Sequence, residues 1–261
     1  MPAPRTSPLV RARRLLIVAL VGVLLGIGLF WSLSTIATPR RTTALFDPPV
    51  LAGQQIPGYC SAGVYARHGD TIVLTSSPHC GDEGTVEGEQ GVAGPWAQDA
   101  TCPYAGHLCH ASDMNYIVVA ADRIPWGHLN VIDLGVGGYR VLGPEAKALA
   151  CADIAIGDPI EIDGRNLYRT GTVAEKGENL QPPAQDGAYF PCMIKSTLQV
   201  DGGDSGGVVL VRGIPAGVTS RSFGGDLGFT PLAEGLAALG LDLCTAPDCG
   251  LVPPPTGAVK G

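Results

Sequence analysis

Apolar positions follow two regimes along the chain. Residues 15–37 (LLIVALVGVLLGIGLFWSLSTIA) run for 23 positions without a charge. About 20 apolar residues at 1.5 Å rise cross a hydrocarbon core, so this run predicts one transmembrane helix. Beyond it, apolar positions come in runs of about four, bounded by Gly, Asp and Pro. Examples are Thr71-Ile72-Val73-Leu74, Tyr116-Ile117-Val118-Val119, Val208-Val209-Leu210-Val211 and Ala216-Gly217-Val218. Runs this short and rich in β-branched residues predict strands. Residues 231–241 (PLAEGLAALGL) carry the main helical pattern, with Thr230 as N-cap and Pro231 at the first position. Residues 38–57, rich in Pro and polar side chains, read as a linker. Pro253-Pro254-Pro255 lies in a tail, 251–261, expected to be disordered.

Composition sharpens this picture. Gly 37 and Pro 22 make up about a quarter of the 261 residues, which disfavours a helical bundle and suits many strands joined by turns. Charge is divided unevenly. Residues 1–41 hold six arginines and no acid, +6, while the remainder holds 11 basic and 24 acidic residues, −13, giving −7 for the chain. An acidic main body argues against a nucleic-acid partner, because phosphate binding needs a basic face. Arg5, Arg11, Arg13 and Arg14 precede the apolar run and Arg40 and Arg41 follow it. That bias keeps residues 1–14 in the cytoplasm and exports the rest, as a single-pass signal-anchor. A cleaved signal peptide ending near Ala37 is the alternative. The run is longer than the usual h-region of about 7–15 residues, and Thr35-Ile36-Ala37 is a poor cleavage site.

All eight cysteines, Cys60, Cys80, Cys102, Cys109, Cys151, Cys192, Cys244 and Cys249, follow the apolar run. An even set on the exported side reads as four disulfides. No pair has the C-x₂-C spacing of zinc modules, and neither a metal nor an organic cofactor is expected.

The most informative string is Gly202-Gly203-Asp204-Ser205-Gly206-Gly207, directly before the apolar run 208–211. A serine between glycines sits on a tight turn with its hydroxyl exposed, and the glycines let backbone N–H groups converge on one point, as an oxyanion requires. A serine hydroxyl needs an adjacent base. Of the five histidines, His79 is the best placed, because it closes the run that begins at Thr71 and is followed by Cys80. His68 lies in a polar turn, His107 and His110 flank Cys109 in a loop, and His128 carries no further signal. The base needs an orienting acid. Asp113 stands at the mouth of the run 114–119; Asp122 and Asp133 compete but look like turn acids.

Gly-Asp-Ser-Gly-Gly at 203–207, Ser-Ser-Pro-His-Cys at 76–80 and Asp-Met-Asn-Tyr-Ile at 113–117 occur in the order His, Asp, Ser. Together they resemble the chymotrypsin-like (trypsin-like) serine proteases, most closely the compact bacterial branch, over about residues 58–241. The resemblance implies an all-β domain at 58–250: two packed antiparallel β-barrels, roughly 58–137 and 138–232, a cleft between them, and a helix at 231–241. It implies Ser205 as nucleophile, His79 as general base and Asp113 as its orienting acid. The N–H groups of Gly203 and Ser205 resemble the oxyanion hole. Ser220 resembles the serine that bonds the acid and starts the substrate-pairing strand, followed by Arg221 and Ser222. Cys60–Cys80 resembles the disulfide beside the histidine. Cys102–Cys109, Cys151–Cys192 and Cys244–Cys249 are the favoured remaining pairs, the first and last on proximity alone. The segments at 156–159, 163–165 and 171–173 resemble the opening hairpin of the second barrel.

Three departures stand out. Pro78 precedes His79, where the family has a small residue. Arg221 follows Ser220, where many members carry an aromatic. No activating N-terminus precedes Cys60, so an arginine of the second barrel, Arg165 or Arg169, is expected to pair with Asp204. The position six before the nucleophile is Gln199, so cleavage after Lys or Arg is not expected from it. Val200, Ser222 and Gly228 suggest an open or apolar pocket, with Asp201 and Asp226 near its walls. The resulting expectation is a membrane-anchored, extracytoplasmic serine endopeptidase acting on a protein or peptide. A protease-fold protein that binds without cleaving is the alternative, and an esterase on the same site is a third reading. Arginine outnumbers lysine 13 to 4, which hints at a GC-rich genome and a bacterial envelope.

Overall fold

The computed structural model describes residues 50–56, 60–80, 97, 108–163, 168–178 and 188–253. The apolar run 15–37, Cys102, His107, Arg165 and the tail from 254 lie outside the described residues. No helix among the described residues is long and apolar enough to cross a membrane. The chain divides into Met1–Arg40 and Arg41–Gly261, and the second unit is described here.

Its strands are β1 (Gln55–Ile56), β2 (Cys60–Ser61), β3 (Tyr65–His68), β4 (Thr71–Ser76), β5 (Leu108–Cys109), β6 (Asn115–Val118), β7 (Val131–Asp133) and β8 (Tyr139–Val141). They continue with β9 (Pro159–Asp163), β10 (Tyr168–Gly177), β11 (Ala188–Tyr189), β12 (Met193–Gln199), β13 (Val208–Val211), β14 (Ile214–Phe223) and β15 (Asp226–Pro231). Helix α1 (Leu232–Leu239) and β16 (Asp242–Leu243) close the order.

The second half is a closed barrel with strand order β10-β12-β15-β14-β13-β9. Alternation builds its interior: Ile160 and Ile162 on β9, Ile194 and Leu198 on β12, and Leu227 and Phe229 on β15 are buried together. β13 is a continuous apolar run because it is buried on both faces. Val209 and Val211 point into the barrel. Val208 and Leu210 join the core of the first half with Leu74, Ile117 and Ile132. The strand that follows Ser205 is therefore fixed between two cores.

The first half is described without residues 81–96 and 98–107. Among the described residues it is a four-stranded sheet, β16-β3-β4-β6, beside the two-stranded ladders β1-β2 and β7-β8. The expected second barrel is present as a closed ladder, and the expected first barrel falls partly on residues outside the described ones. The expected division at 137/138 also falls inside a hairpin, since β7 pairs antiparallel with β8.

Two other expectations are revised. Residues 50–56, read as linker, are built into the body. Val50 and Ala52 are buried, β1 pairs with β2, and the Tyr65 hydroxyl donates to the Val50 carbonyl at 2.6 Å. Burial pushes the Tyr65 phenol well above its ordinary pKa, keeping it a neutral donor. The helix runs from Leu232, with Pro231 at its N-cap and Thr230 inside β15. It buries Leu232, Leu236 and Leu239 on one stripe and ends at Gly240 in the left-handed region, φ 64°. β16 then returns to pair with β3. Three of the expected disulfides are present, Cys60–Cys80, Cys151–Cys192 and Cys244–Cys249, and the fourth, Cys102–Cys109, rests on Cys102, outside the described residues.

Candidate active site

The loop before β13 is held from both halves. The Gly206 N–H donates to the Thr219 carbonyl at 2.8 Å, and the Thr219 N–H to the Gly207 carbonyl at 2.8 Å. From the first half, the Ser61 N–H donates to the Ser205 carbonyl at 2.7 Å, and the Ser61 hydroxyl to the Gly203 carbonyl at 2.8 Å. Gly206 has φ 83°, and a Cβ there would lie 2.6 Å from the Ser61 carbonyl oxygen and 2.8 Å from Ser76 Oγ. Only glycine combines that dihedral with that approach. Among the described residues the N–H groups of Gly203 and Ser205 donate to no acceptor, which leaves two amides beside a half-buried serine.

Asp204 is buried, and its Oδ2 accepts from Arg169 Nη1 at 2.6 Å and from the Asp201 N–H at 2.9 Å. Arg169 also donates to the Gln199 carbonyl at 3.0 Å and to Asp201 Oδ2 at 2.9 Å. Of the two arginines left open by the sequence, Arg169 makes the pair. Its place on β10 opposite Ile162 of β9 sets that register.

His79 lies in a 3₁₀ turn, Pro78–Cys80, and is exposed. Pro78 opens this turn, where its fixed φ suits a helical start and its missing N–H costs nothing. The Ser77 hydroxyl meets His79 Nδ1 at 2.8 Å. Cys60–Cys80 ties this turn to β2, whose Ser61 holds the Ser205 loop. Asp113 is buried two residues before Asn115, which pairs with Ser76 across β6 and β4. Its Oδ2 accepts a hydrogen bond from the Ser220 hydroxyl, and its N–H donates to Thr230 Oγ1 at 2.9 Å. The chain segments bearing His79, Asp113 and Ser205 thus meet at the end of β4, the start of β6 and the loop before β13, with Ser220 of β14 on Asp113. His79 Nδ1 is engaged by the Ser77 hydroxyl, and the Asp113 carboxylate by the Ser220 hydroxyl.

The other candidates separate clearly. Asp122 is exposed on a 3₁₀ turn beside Arg123, whereas Asp133 is buried with its carboxylate committed to Gln54 at 2.7 Å and the Gly135 N–H at 2.8 Å. His68 is exposed beside the Tyr116 ring, and His128 is exposed. His110, read as a loop residue, is buried with its ring 5.7 Å from that of Phe190. Among the described residues no group of three or more His, Cys, Asp or Glu could hold a metal ion.

On the pocket side, the Gln199 carboxamide donates to Asp226 Oδ1, and Lys195 Nζ lies 3.2 Å from Asp226 Oδ2. Ser222 accepts the Gly225 N–H at 3.0 Å, and the Arg221 backbone pairs with Gly228. The Arg221 side chain lies outside the described residues. Gly228 is not an opening: a Cβ there would lie 2.0 Å from the Phe223 ring, and Phe223 packs with Phe190 and Met193.

No family model matches the chain, and no curated protein sequence does. Solved structures do match. Protease A of Thermobifida fusca superposes with a TM-score of 0.56 at 21% identity, over 75% of this chain and 98% of that one. The fold is that of the chymotrypsin-like serine proteases. The chymotrypsin of Cellulomonas bogoriensis gives 0.56 at 22% identity, over 76% and 100% of the two chains. A serine protease specific for glutamic acid gives 0.54 at 23%, over 74% and 100%. In this chymotrypsin-like fold, sequence reasoning missed Ser61, Ser77 and Thr230. Ser77 lies inside a quoted motif and Ser61 beside Cys60, but a small hydroxyl residue carries no signal until its partner is known.

Proposed function

We propose that the chain is a serine endopeptidase carried on the extracytoplasmic side of a membrane by residues 15–37. Ser205 attacks the peptide carbonyl while His79 takes its proton, and Asp113 stabilises the imidazolium. The amides of Gly203 and Ser205 receive the developing oxyanion. His79 then protonates the leaving amine, and water releases the acyl-enzyme. The observation that carries this reading is the meeting of the Ser205 loop, with its two undonated amides, with the turn bearing His79 and the strand end bearing Asp113. In this mechanism Asp113 takes the orienting contact at the imidazole that the Ser77 hydroxyl makes at Nδ1. Asp201 and Asp226 each face a cationic partner, Arg169 and Lys195. That supports an uncharged substrate side chain beside the scissile bond.

The Ser77–His79 bond favours a second reading, a protease fold that binds peptides without cleaving them. A fluorophosphonate probe on the purified, oxidised full-length chain decides between them. Labelling at Ser205, absent in Ser205→Ala, is expected. An unlabelled folded protein overturns the peptidase reading, and label that survives Ser205→Ala overturns the site. Peptide-library cleavage then distinguishes peptidase from esterase.

A further inference from the structure

The sequence assigns Thr230 to the start of a helix, but the structure spends its hydroxyl elsewhere. Thr230 is fully buried near the end of β15. Its Oγ1 accepts the Asp113 N–H at 2.9 Å and is hydrogen-bonded to Ser112 Oγ at 2.8 Å. Ser112 is also fully buried. Asp113 belongs to the first half and Thr230 to the second-half barrel, so this contact crosses between them. It is distinct from the Ser220 contact, which fixes the carboxylate. Thr230 fixes the main chain from which that carboxylate projects, just before the β6 ladder begins at Asn115.

Helix α1 reinforces the same segment. Gly235 packs so closely that a Cβ there would lie 2.6 Å from Met114 Cε and 2.9 Å from Ser112 Cβ. Residues 112–114 are therefore pressed between β15 and α1. An acid that orients a base acts through geometry, and a displacement of about 1 Å can cost about 10²-fold in rate.

The geometry points to Thr230 as a positioning residue that sets Asp113 for its work on His79. This rests on the peptidase reading above. The hydroxyl is what matters, so Thr230→Val, equal in shape, removes the function and Thr230→Ser keeps it. The test is the rate of fluorophosphonate labelling of Ser205 in the full-length protein from pH 5 to 9. It is read with an NMR titration of the His79 ring and the thermal midpoint of each variant. Thr230→Val is expected to label about 10–100-fold more slowly and to titrate His79 at lower pH, because a displaced carboxylate stabilises the imidazolium less. Thr230→Ser is expected to restore both. Val labelling at the wild-type rate with an unchanged His79 titration overturns the proposal. So does a serine variant as slow as the valine variant.

A second measurement needs neither variant nor activity. Amide exchange in the wild type should show the Asp113 N–H protected like the amides of β6, although it precedes the ladder. Fast exchange at Asp113 overturns the contact even if the valine variant fails to fold. A folded wild type that takes no probe overturns the peptidase reading, and the proposal with it, while a protected Asp113 amide shows that the contact itself stands.

Discussion

The two halves of the body place the proposed catalytic residues differently. The second half is a closed barrel, and its serine loop precedes a strand buried on both faces. Asp204, inside that loop, is paired by Arg169 from the same half. The described part of the first half is a four-stranded sheet, with His79 just past the end of β4 and Asp113 just before β6. Asp113 is held from the other half by Ser220 and Thr230, and the His79 turn is tied to β2, outside its own sheet, through Cys60–Cys80. The Ser205 loop is anchored in the barrel and latched from the first half by Ser61, whereas His79 and Asp113 depend mainly on links leading out of their own sheet. Damage inside the barrel should therefore cost stability first, and damage to the links should cost reactivity beyond what stability explains.

The largest effect is expected from Arg169→Gln. Asp204 is 1% exposed and would be left as a buried carboxylate without its cation. Breaking a buried pair in this way costs about 3–5 kcal/mol. Denaturant unfolding should show that loss, with Ser205 labelling falling in parallel. An unchanged midpoint would mean that the barrel does not rely on this pair.

Next is the link. Replacing Cys60 and Cys80 together by Ser opens a crosslink of sequence separation 20 and should cost about 2–4 kcal/mol. Labelling of Ser205 should fall further than Arg169→Gln would imply at equal stability, because the His79 turn is released as well. Replacing Cys244 and Cys249, separated by 5, should cost less on chain entropy and leave labelling alone. Equal losses of labelling from the two pairs would erase the proposed difference between the halves.

Gly206→Ala probes the junction itself. The strained dihedral and the clash with the Ser61 carbonyl predict a cost of about 1–3 kcal/mol and slower labelling. A variant as stable and reactive as the parent would show that the loop can shift away from Ser61.

What the sequence made legible follows the same division. Local features could be read directly: the tight glycine turn around Ser205, the buried run 208–211, and Cys244–Cys249 across a short loop. Contacts between halves could not. Thr230 looked like a helix cap because a threonine before a proline satisfies the local rule, and only the position of Asp113 shows where its hydroxyl goes. Arg165 and Arg169 were indistinguishable until the β9–β10 register placed one of them. Val50 and Ala52 sat in a Pro-rich stretch and read as linker, yet Ala52 bridges Ile132 in β7. Gly228 read as open space because a sequence cannot show that Phe223 fills it.

The smallest effect is expected where β8 meets the barrel on the surface. Arg140 Nη2 lies 2.6 Å from Glu161 Oε2, and the Tyr168 hydroxyl donates to the same oxygen at 2.8 Å. The hydrogen bond to Glu161 raises the Tyr168 pKa above its ordinary value, with burial adding to it and Arg140 opposing it. A phenol with a raised folded-state pKa contributes its stabilisation below about pH 10, and loses it as the pH climbs through the folded value. Glu161→Gln should bring the Tyr168 titration down, visible as earlier phenolate absorbance in an alkaline titration. It should change stability at neutral pH by less than about 1 kcal/mol, as for a partly exposed ion pair. Ser205 labelling should not change, because this cluster is absent from the hydrogen bonds that hold the serine loop, the His79 turn or Asp113. A loss of labelling here would mean that the barrel transmits strain from its outer surface to the serine loop, and the barrel would then be less self-contained than its closed ladder implies.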